Sequence, residues 1–403
     1  MTREEYRAQK ERQRARLKRA RETEKQNIEA AKGRMDIPFL LLTLLLTAIG
    51  LVMVFSASFP SAYTENGDPA YYFKRQAIFA VIGIVAMFAI SKFTYQRWRG
   101  AAKLLLGFSV FLLILVIIPH VGITVNNATR WLGIPGKLTF QPSEIAKLGV
   151  IIYFADSISK KRDKMRTWRY GIWPYLAVLG MIAVLMMLEP HLSGTILILG
   201  TGVAMMIVGG IRAWLVGLGV GGGAAAIFTY VKLAEKGIIS YGSSRIAMWH
   251  NPWLDASDEG YQMVQSLIAI GSGGLLGVGL GKSRQKFLYL PEEHNDCIFA
   301  IVCEELGLIG ACVIMLIFAL LIIRGFWIAL HARDRFGALI VVGITTHIAL
   351  QTFLNIAVVS GLVPATGISL PFFSYGGTAL ALQLFEMGII LSVSRQIPAP
   401  KNG

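Results

Sequence analysis

The sequence predicts an all-α polytopic membrane protein of about ten transmembrane helices, with a large extracytoplasmic loop between the seventh and eighth helices. Hydrophobic residues make up 54% of the 403 residues, whereas charged residues make up only 16%. A bilayer core of roughly 30 Å requires about 20 mostly apolar residues per helix, and such stretches recur along the chain. These observations exclude a soluble globular protein and predict a membrane domain over residues 36–396.

Ten apolar stretches are predicted to cross the membrane, in the order 37–56, 76–93, 103–119, 143–159, 171–188, 191–209, 214–233, 297–325, 336–360 and 374–394. The fourth and eighth depart from a purely apolar pattern. The fourth contains Glu144, Lys147 and Asp156, and the eighth contains Glu304 and Glu305 near its start. Because charge inside a bilayer is costly, these residues must be paired or must face a wet cavity.

Lysine and arginine residues predict the orientation in the membrane. Residues 1–35 form a basic tail, and a second basic run, "KKRDKMRTWR", follows the fourth span. Positively charged flanks favour the cytoplasmic side, so ten spans place both termini, including 397–403, in the cytoplasm of a multi-pass membrane protein. The tail is interpreted as a topology anchor near anionic headgroups, and no nucleic-acid partner is expected.

An acidic run marks the predicted entrance of the eighth helix. The stretch "YLPEEHNDCIFAIVCEEL" ends the external loop 234–296, which places Asp296 at the outer membrane surface. Glu292, His294 and Glu304 are further candidates there, whereas Glu189 and Glu386 rank lower. The three cysteines lack metal-ligand spacing and are interpreted as packing residues. The sequence contains no metal-ligand motif. The cofactor is left open, and a divalent cation such as Mg²⁺ or Mn²⁺ is one candidate.

Cations in the predicted external connections suit a phosphate-containing ligand. The stretch "GYQMVQSLIAIGSGGLLGVGLGKSRQKF" has a glycine-rich apolar middle, which predicts a re-entrant or interfacial segment followed by Lys282, Arg284 and Lys286. In the fourth span, Glu144 and Lys147 stand three residues apart on one helical face. A self-compensating ion pair and a role in a substrate cavity are both open for these two residues.

Four stretches together resemble one family, the SEDS proteins of shape, elongation, division and sporulation. They are "NATRWLGI" with "FQPSEIAK", the glycine-rich stretch, the acidic run, and "QTFLNIAVVSGLVPATGISLPFFSYGGT". The resemblance is greater to the FtsW and SpoVE branch than to RodA. It implies a peptidoglycan glycosyltransferase that polymerises lipid II into β-1,4 glycan strands outside the plasma membrane, with inversion at the donor sugar, in division or sporulation.

The resemblance implies that Asp296 is the catalytic base. Candidate substrate-binding residues are Arg130, Lys137, Glu144, Lys147, Arg245, Gln265, Ser266, Lys282, Arg284, Lys286, Glu292, His294, Glu304 and Ser374. The implied partners are lipid II, lipid-linked glycan, a class B penicillin-binding protein transpeptidase, and other division or sporulation membrane proteins.

The chain departs from the family pattern at three positions. Asn295 and Cys297 stand where the family usually has Thr and Phe, and His191 stands where an Asp usually follows Pro190. A role of the missing Asp could pass to Glu189 or His191. Two other functions are open: a transporter that flips lipid II, and a membrane scaffold for a transpeptidase.

Overall fold

The computed structural model describes residues 33, 35–125, 128–134, 138–212, 214, 249–256 and 260–397. These residues are mostly helical, as predicted. The α-helices are α1 (Ile37–Asn66), α2 (Tyr71–Lys92), α3 (Trp98–Ile117), α4 (Pro142–Lys161), α5 (Trp173–Leu188), α6 (Leu192–Val208), α7 (Tyr261–Gly273), α8 (Ile298–Leu330), α9 (Arg335–Val359) and α10 (Gly377–Ser394).

Seven of the described helical segments are long and apolar enough to cross a membrane: those of α1, α2, α3, α5, α8, α9 and α10. Helix α4 carries charged residues, and α6 is shorter, with 17 residues. These nine helices coincide with nine predicted spans. The remaining predicted span, 214–233, lies outside the described residues apart from Trp214, so the count of ten stays a prediction.

Helix α1 continues ten residues beyond its predicted end, and both of its termini are capped. The carboxylate of Asp36 accepts a hydrogen bond from the amide of Phe39 at 2.9 Å, which satisfies one of the free amides of the first turn. Gly67 ends the helix in the left-handed conformation, with φ of 68°, which costs glycine little. The sequence reasoning followed hydropathy alone and therefore stopped at the last strongly apolar turn.

Among the residues that the structure describes, a small antiparallel sheet departs from the all-α prediction. Strands β1 (Ile123–Val125), β2 (Ala128–Ile134) and β3 (Leu138–Phe140) are hydrogen-bonded in the order β1-β2-β3. They occupy the connection between α3 and α4, which was predicted only as an external loop. Three short strands carry too few residues for a period-two pattern to be visible in the sequence.

The helices run between two ends, which we call the Asp296 end and the Asp334 end. At the Asp334 end, the hydroxyl of Tyr95 and the guanidinium of Arg99 donate to the carboxylate of Asp334 at 2.8 and 2.9 Å. Asp36 also pairs there with Arg324 at 2.7 Å. These contacts join the start of α1, the start of α3 and the connection between α8 and α9.

Helices α9 and α10 form the centre of the structure. Two thirds of the most apolar window of each helix, 67%, is buried inside the protein, against 22% for α2. Helix α10 packs closely on α2 because Gly388 leaves room for the neighbouring backbone. A Cβ atom at this position would lie 2.7 Å from the carbonyl oxygen of Met87.

Helix α8 is interrupted at Gly307, where φ is 69°. The segment 274–279, which follows α7, fills the interruption with backbone hydrogen bonds. The amide of Val278 donates to the carbonyl of Glu304 at 3.0 Å, and the amide of Leu308 donates back into the same segment at 2.9 Å. Because apolar surroundings require internal partners for backbone groups, this exchange allows α8 to break without leaving these groups unpaired.

Candidate active site

Asp296 lies in the turn that precedes α8, and polar side chains hold this turn from two directions. The side-chain amide of Asn355 donates to the backbone carbonyl of Asp296 at 2.8 Å and to that of Ile368 at 2.6 Å. The hydroxyl of Ser374 donates to the carbonyl of Asn295 at 2.7 Å. The end of α9 and its connection to α10 therefore fix the backbone that carries the carboxylate.

The carboxylate of Asp296 lies against the backbone of Gly367. A Cβ atom at residue 367 would be 2.8 Å from Oδ2 of Asp296, which is closer than ordinary contact. Burial and, to a smaller extent, the negative charge of Glu292 raise the pKa of Asp296 to about 7, against the opposing positive charge of Arg130. A carboxylate with this pKa suits general base catalysis near neutral pH.

Arg130 reaches the site from β2 and also contacts the turn between α5 and α6. Its Nε donates to the carbonyl of Glu189 at 3.3 Å, and its terminal nitrogen donates to the carbonyl of Pro190. The small sheet therefore places this cation at the Asp296 end, where its charge acts on Asp296. Sequence reasoning identified the cation but not the strand that carries it.

The turn between α5 and α6 contains the two residues considered as substitutes for the missing family Asp. Both carboxyl oxygens of Glu189 and the Nδ1 atom of His191 are buried. None of these three atoms has a hydrogen-bond partner among the described residues. Burial raises the pKa of Glu189 to about 8, against the opposing charge of Arg130. Burial, Arg130 and Lys147 lower the pKa of His191 to about 3. Both shifts favour the uncharged form of the side chain.

The acidic residues beside Asp296 have partners of their own. The side-chain amide of Asn295 donates to Glu292 at 2.5 Å. Glu293 accepts from the hydroxyl of Ser61 at 2.6 Å and is 3.2 Å from Nδ1 of His294. These contacts tie the acidic run to α1 and hold it beside the candidate base.

The segment that carries Lys282, Arg284 and Lys286 is fastened to α8. The backbone amide of Arg284 donates to Glu304 at 2.9 Å, and the buried ammonium of Lys286 pairs with Glu305 at 2.9 Å. The side chains of Lys282 and Arg284 are exposed. Glu304 and Lys286 thus make contacts inside the protein, whereas the two exposed cations can reach a ligand.

Glu144 and Lys147 form the ion pair that their spacing allowed, at 2.6 Å. The side chain of Lys147 is buried, and Glu144 retains some exposure. Glu386 of α10 is buried nearby and interacts electrostatically with both. This polar cluster lies between α4 and α10.

Helix α7 also reaches the turn that carries Asp296. The side chains of Gln262 and Ser266 donate to Sγ of Cys297 at 3.1 and 3.6 Å. Gln265 lies on the same helix and is partly exposed. Ser266 thus contacts the residue that follows Asp296, although 30 positions separate Ser266 from Asp296 along the sequence.

Lys137 and Arg245 lie outside the described residues. Within the residues that the structure describes, no group of three or more His, Cys, Asp and Glu side chains is arranged to hold a metal ion. Sequence reasoning missed Gln262, Asn355 and Gly367 as neighbours of the site. Asn355 and Gly367 belong to the last quoted motif, whose role could have been assigned only with the fold in hand.

Known proteins are similar to this chain in both sequence and fold. A family model described as a cell cycle protein, FtsW/RodA/SpoVE, matches residues 37–398. Stage V sporulation protein E of Bacillus subtilis (strain 168) is 44% identical over 365 residues, which cover 90% of this chain and 98% of that protein. A probable peptidoglycan glycosyltransferase FtsW of Geobacter sulfurreducens (strain DL-1 / KN400) is 40% identical over 367 residues, covering 90% of this chain and 96% of that one.

Two solved structures extend the comparison. A chain of a peptidoglycan synthase complex, solved to explain how polymerization and crosslinking are coordinated, aligns with a TM-score of 0.74 at 27% identity and covers 90% of this chain and 98% of its own length. The rod shape determining protein RodA of Thermus thermophilus aligns with a TM-score of 0.65 at 27% identity, covering 91% and 98%. The fold and its apolar helices define a multi-pass membrane protein. The chain belongs to the FtsW/RodA/SpoVE family.

Proposed function

We propose that this protein is a peptidoglycan glycosyltransferase that polymerises lipid II into β-1,4 glycan strands, with inversion at the donor sugar. The observation that carries this proposal is a single carboxylate, Asp296, held in a rigid turn with its pKa raised to about 7 by burial. The names of the FtsW relatives support the same reaction. Relatives of both the FtsW and SpoVE type support a role in division or sporulation.

In the proposed reaction, Asp296 removes the proton from the attacking hydroxyl of the acceptor sugar. The hydroxyl oxygen forms a bond to the anomeric carbon of the lipid-linked donor, and the bond from that carbon to the lipid pyrophosphate breaks. The proton stays on Asp296 and the electron pair leaves with the pyrophosphate. Direct displacement of this kind inverts the anomeric centre, and a positioned base typically accelerates such a step by about 10² to 10⁴-fold.

The departing pyrophosphate requires positive charge more than a proton, since it is already a stable anion. Arg130 supplies charge beside Asp296, and the exposed side chains of Lys282 and Arg284 supply it from the segment fastened to α8. Lys137 and Arg245 complete the proposed set. Lys286 acts indirectly, because its ammonium is engaged with Glu305.

The proposed topology has ten spans, with the Asp296 end outside the cell and both termini in the cytoplasm. The basic residues before α1 and after α4 support this orientation, since such residues favour the cytoplasmic side. The protein is then placed in the plasma membrane with loop 234–296 on the outer face. A class B penicillin-binding protein transpeptidase is the proposed partner, supported by the structural likeness to a chain of a peptidoglycan synthase complex.

The decisive experiment measures glycan product from lipid II by purified wild-type protein and by Asp296→Asn, each alone and with the transpeptidase. Asparagine keeps the size of the side chain but removes its basicity, so product formation is expected to fall by at least about 10²-fold. Asp68→Asn is the matched control because Asp68 is partly exposed at the same end and pairs with Lys74 at 2.8 Å.

Equal product from Asp296→Asn and wild type would remove Asp296 from the reaction. An inert wild-type chain that nevertheless supports polymerisation by its partner would favour the scaffold function. Movement of lipid II across vesicle membranes without any glycan product would favour the transporter.

A further inference from the structure

Three aromatic rings gather at the Asp296 end of the protein. Tyr72 lies in the first turn of α2, and its ring stacks on that of His294, with centroids 4.6 Å apart and an angle of 28°. Tyr375 approaches Tyr72 edge-on at 4.8 Å and His294 at 5.7 Å. We call Tyr72, His294 and Tyr375 the aromatic platform.

The platform is joined rigidly to the turn that carries the candidate base. The amide of Tyr375 donates to the carbonyl of His294 at 2.8 Å, two residues before Asp296. Gln76 lies one turn after Tyr72 on α2. Its side chain donates to the carbonyl of Ser374 at 3.1 Å and accepts from the backbone amide of Gly376 at 3.1 Å. A ligand bound on these rings would therefore be held at a fixed position relative to Asp296.

Polar contacts also orient the rings. Nδ1 of His294 is 3.2 Å from Glu293, and the hydroxyl of Tyr72 donates to Glu65. Tyrosine rings are also common at membrane–water interfaces, where they serve as anchors at headgroup level. Here the rings contact one another and are held by carboxylates, which is the arrangement of a preorganised binding surface.

The two tyrosines are partly exposed, whereas His294 is buried beneath them. Aromatic side chains combine an apolar face with a polar edge. A pyranose ring has the matching surface, because its axial C–H bonds form an apolar face and its hydroxyl and acetamido groups lie around the rim. Tyrosine hydroxyls can donate or accept hydrogen bonds at that rim, and nearby carboxylates can accept them.

We propose that the aromatic platform binds sugar rings of the glycan strand and aligns them with Asp296. The ligand class is a β-linked polymer of N-acetylated amino sugars, and the inference rests on the proposed glycosyltransferase function. Binding the strand beside the base lowers the entropic cost of aligning each new hydroxyl with the donor. The platform thus acts in positioning, while Asp296 moves the proton.

The first test measures binding of uncrosslinked glycan strands, made of alternating N-acetylglucosamine and N-acetylmuramic acid, to the purified full-length protein. Tyr72→Leu removes the aromatic face but keeps apolar bulk, so affinity is expected to fall by about 10-fold. Tyr72→Phe keeps the ring and is expected to bind within about 3-fold of wild type. Tyr63→Leu is the control, because Tyr63 is exposed in the last turn of α1, at the same end of the protein as Tyr72.

Unchanged binding by Tyr72→Leu and by Tyr375→Leu would overturn the proposal. A measurement on wild-type protein covers the case in which these variants fold poorly: bound glycan is expected to protect Tyr72 and Tyr375, but not Tyr63, from hydroxyl-radical oxidation. Equal oxidation of Tyr72 and Tyr375 with and without glycan would also overturn it.

A second readout separates this proposal from the proposed function. In the lipid II assay, Tyr72→Leu is expected to give shorter strands and to need a higher lipid II concentration, with the maximal rate reduced less than in Asp296→Asn. A wild-type protein that binds glycan through Tyr72 but makes no product would refute the glycosyltransferase and retain the platform. Normal product length and lipid II dependence in Tyr72→Leu would refute the platform and retain the enzyme.

Discussion

The carboxylate of Asp296 rests against the backbone of Gly367, at a distance that leaves no room for a side chain at residue 367. Residue 367 belongs to the connection between α9 and α10, far from Asp296 in sequence. The same connection supplies Ser374, which holds the carbonyl before Asp296 at 2.7 Å. The position of the candidate base is therefore determined jointly by two distant parts of the chain.

Gly367→Ala is expected to lower the maximal polymerisation rate by about 10 to 100-fold, because the added methyl group displaces the carboxylate of Asp296 from its reacting position. The measurement is the rate of glycan formation at saturating lipid II. Gly271→Ala is the matched control, since a Cβ atom there meets no atom within 4 Å. Equal rates for Gly367→Ala and wild type would show that the carboxylate tolerates displacement.

The rate is expected to rise with pH through about 7 and then to level off. Burial raises the pKa of Asp296 to about 7, and only the deprotonated carboxylate can accept the proton of the acceptor hydroxyl. The check is a pH profile of the polymerisation rate at low lipid II concentration. A profile that is flat between about pH 6 and 8 would contradict a base with this pKa.

Arg130→Gln is expected to move this rising limb to higher pH. The positive charge of Arg130 lowers the pKa of Asp296, so its removal lets the pKa rise further. Profiles normalised to their own maxima separate this shift from any loss of substrate binding. Arg99→Gln serves as the control because Arg99 pairs with Asp334 at the opposite end, and a shared shift in both variants would speak against a local effect.

Lys286→Met is expected to lower stability, whereas Lys282→Met is expected to weaken the use of lipid II. Loss of Lys286 leaves the buried carboxylate of Glu305 without its cation, which costs about 3 to 5 kcal/mol and should lower the thermal unfolding midpoint. Lys282 is exposed, so its loss should leave the midpoint unchanged and weaken the use of lipid II. Thermal unfolding in detergent and lipid II titration distinguish the two, and equal midpoints for the two variants would contradict the structural role of Lys286.

The proposed orientation is tested by labelling single cysteines with a membrane-impermeant thiol reagent. In a Cys312→Ser background, Asp68→Cys at the Asp296 end is expected to react in cells whose outer wall admits the reagent. Lys164→Cys lies just after α4, at the Asp334 end, and is expected to react only after the membrane is disrupted. The reverse pattern would invert the topology and place Asp296 in the cytoplasm.

The sequence by itself determined the helices and the candidate base. Long apolar stretches such as those of α8 and α9 can be satisfied only as helices in an apolar medium, so composition and length were sufficient to predict them. Asp296 could be selected as a candidate base because an acidic cluster at the start of a membrane helix is costly and because it matches the family motif. The local pairing of Glu144 with Lys147 followed from helical spacing and is confirmed at 2.6 Å.

Only the tertiary structure decided what surrounds these residues. Hydropathy carries no information on which connection packs against which turn, so the contacts of Asp296 with Gly367 and Asn355 had to come from the fold. The three cations of the segment 282–286 look equivalent in sequence, yet packing buries Lys286 against Glu305 and leaves the other two exposed. Burial and distant pairing depend on the path of the whole chain, and they determine which charged groups can meet a substrate.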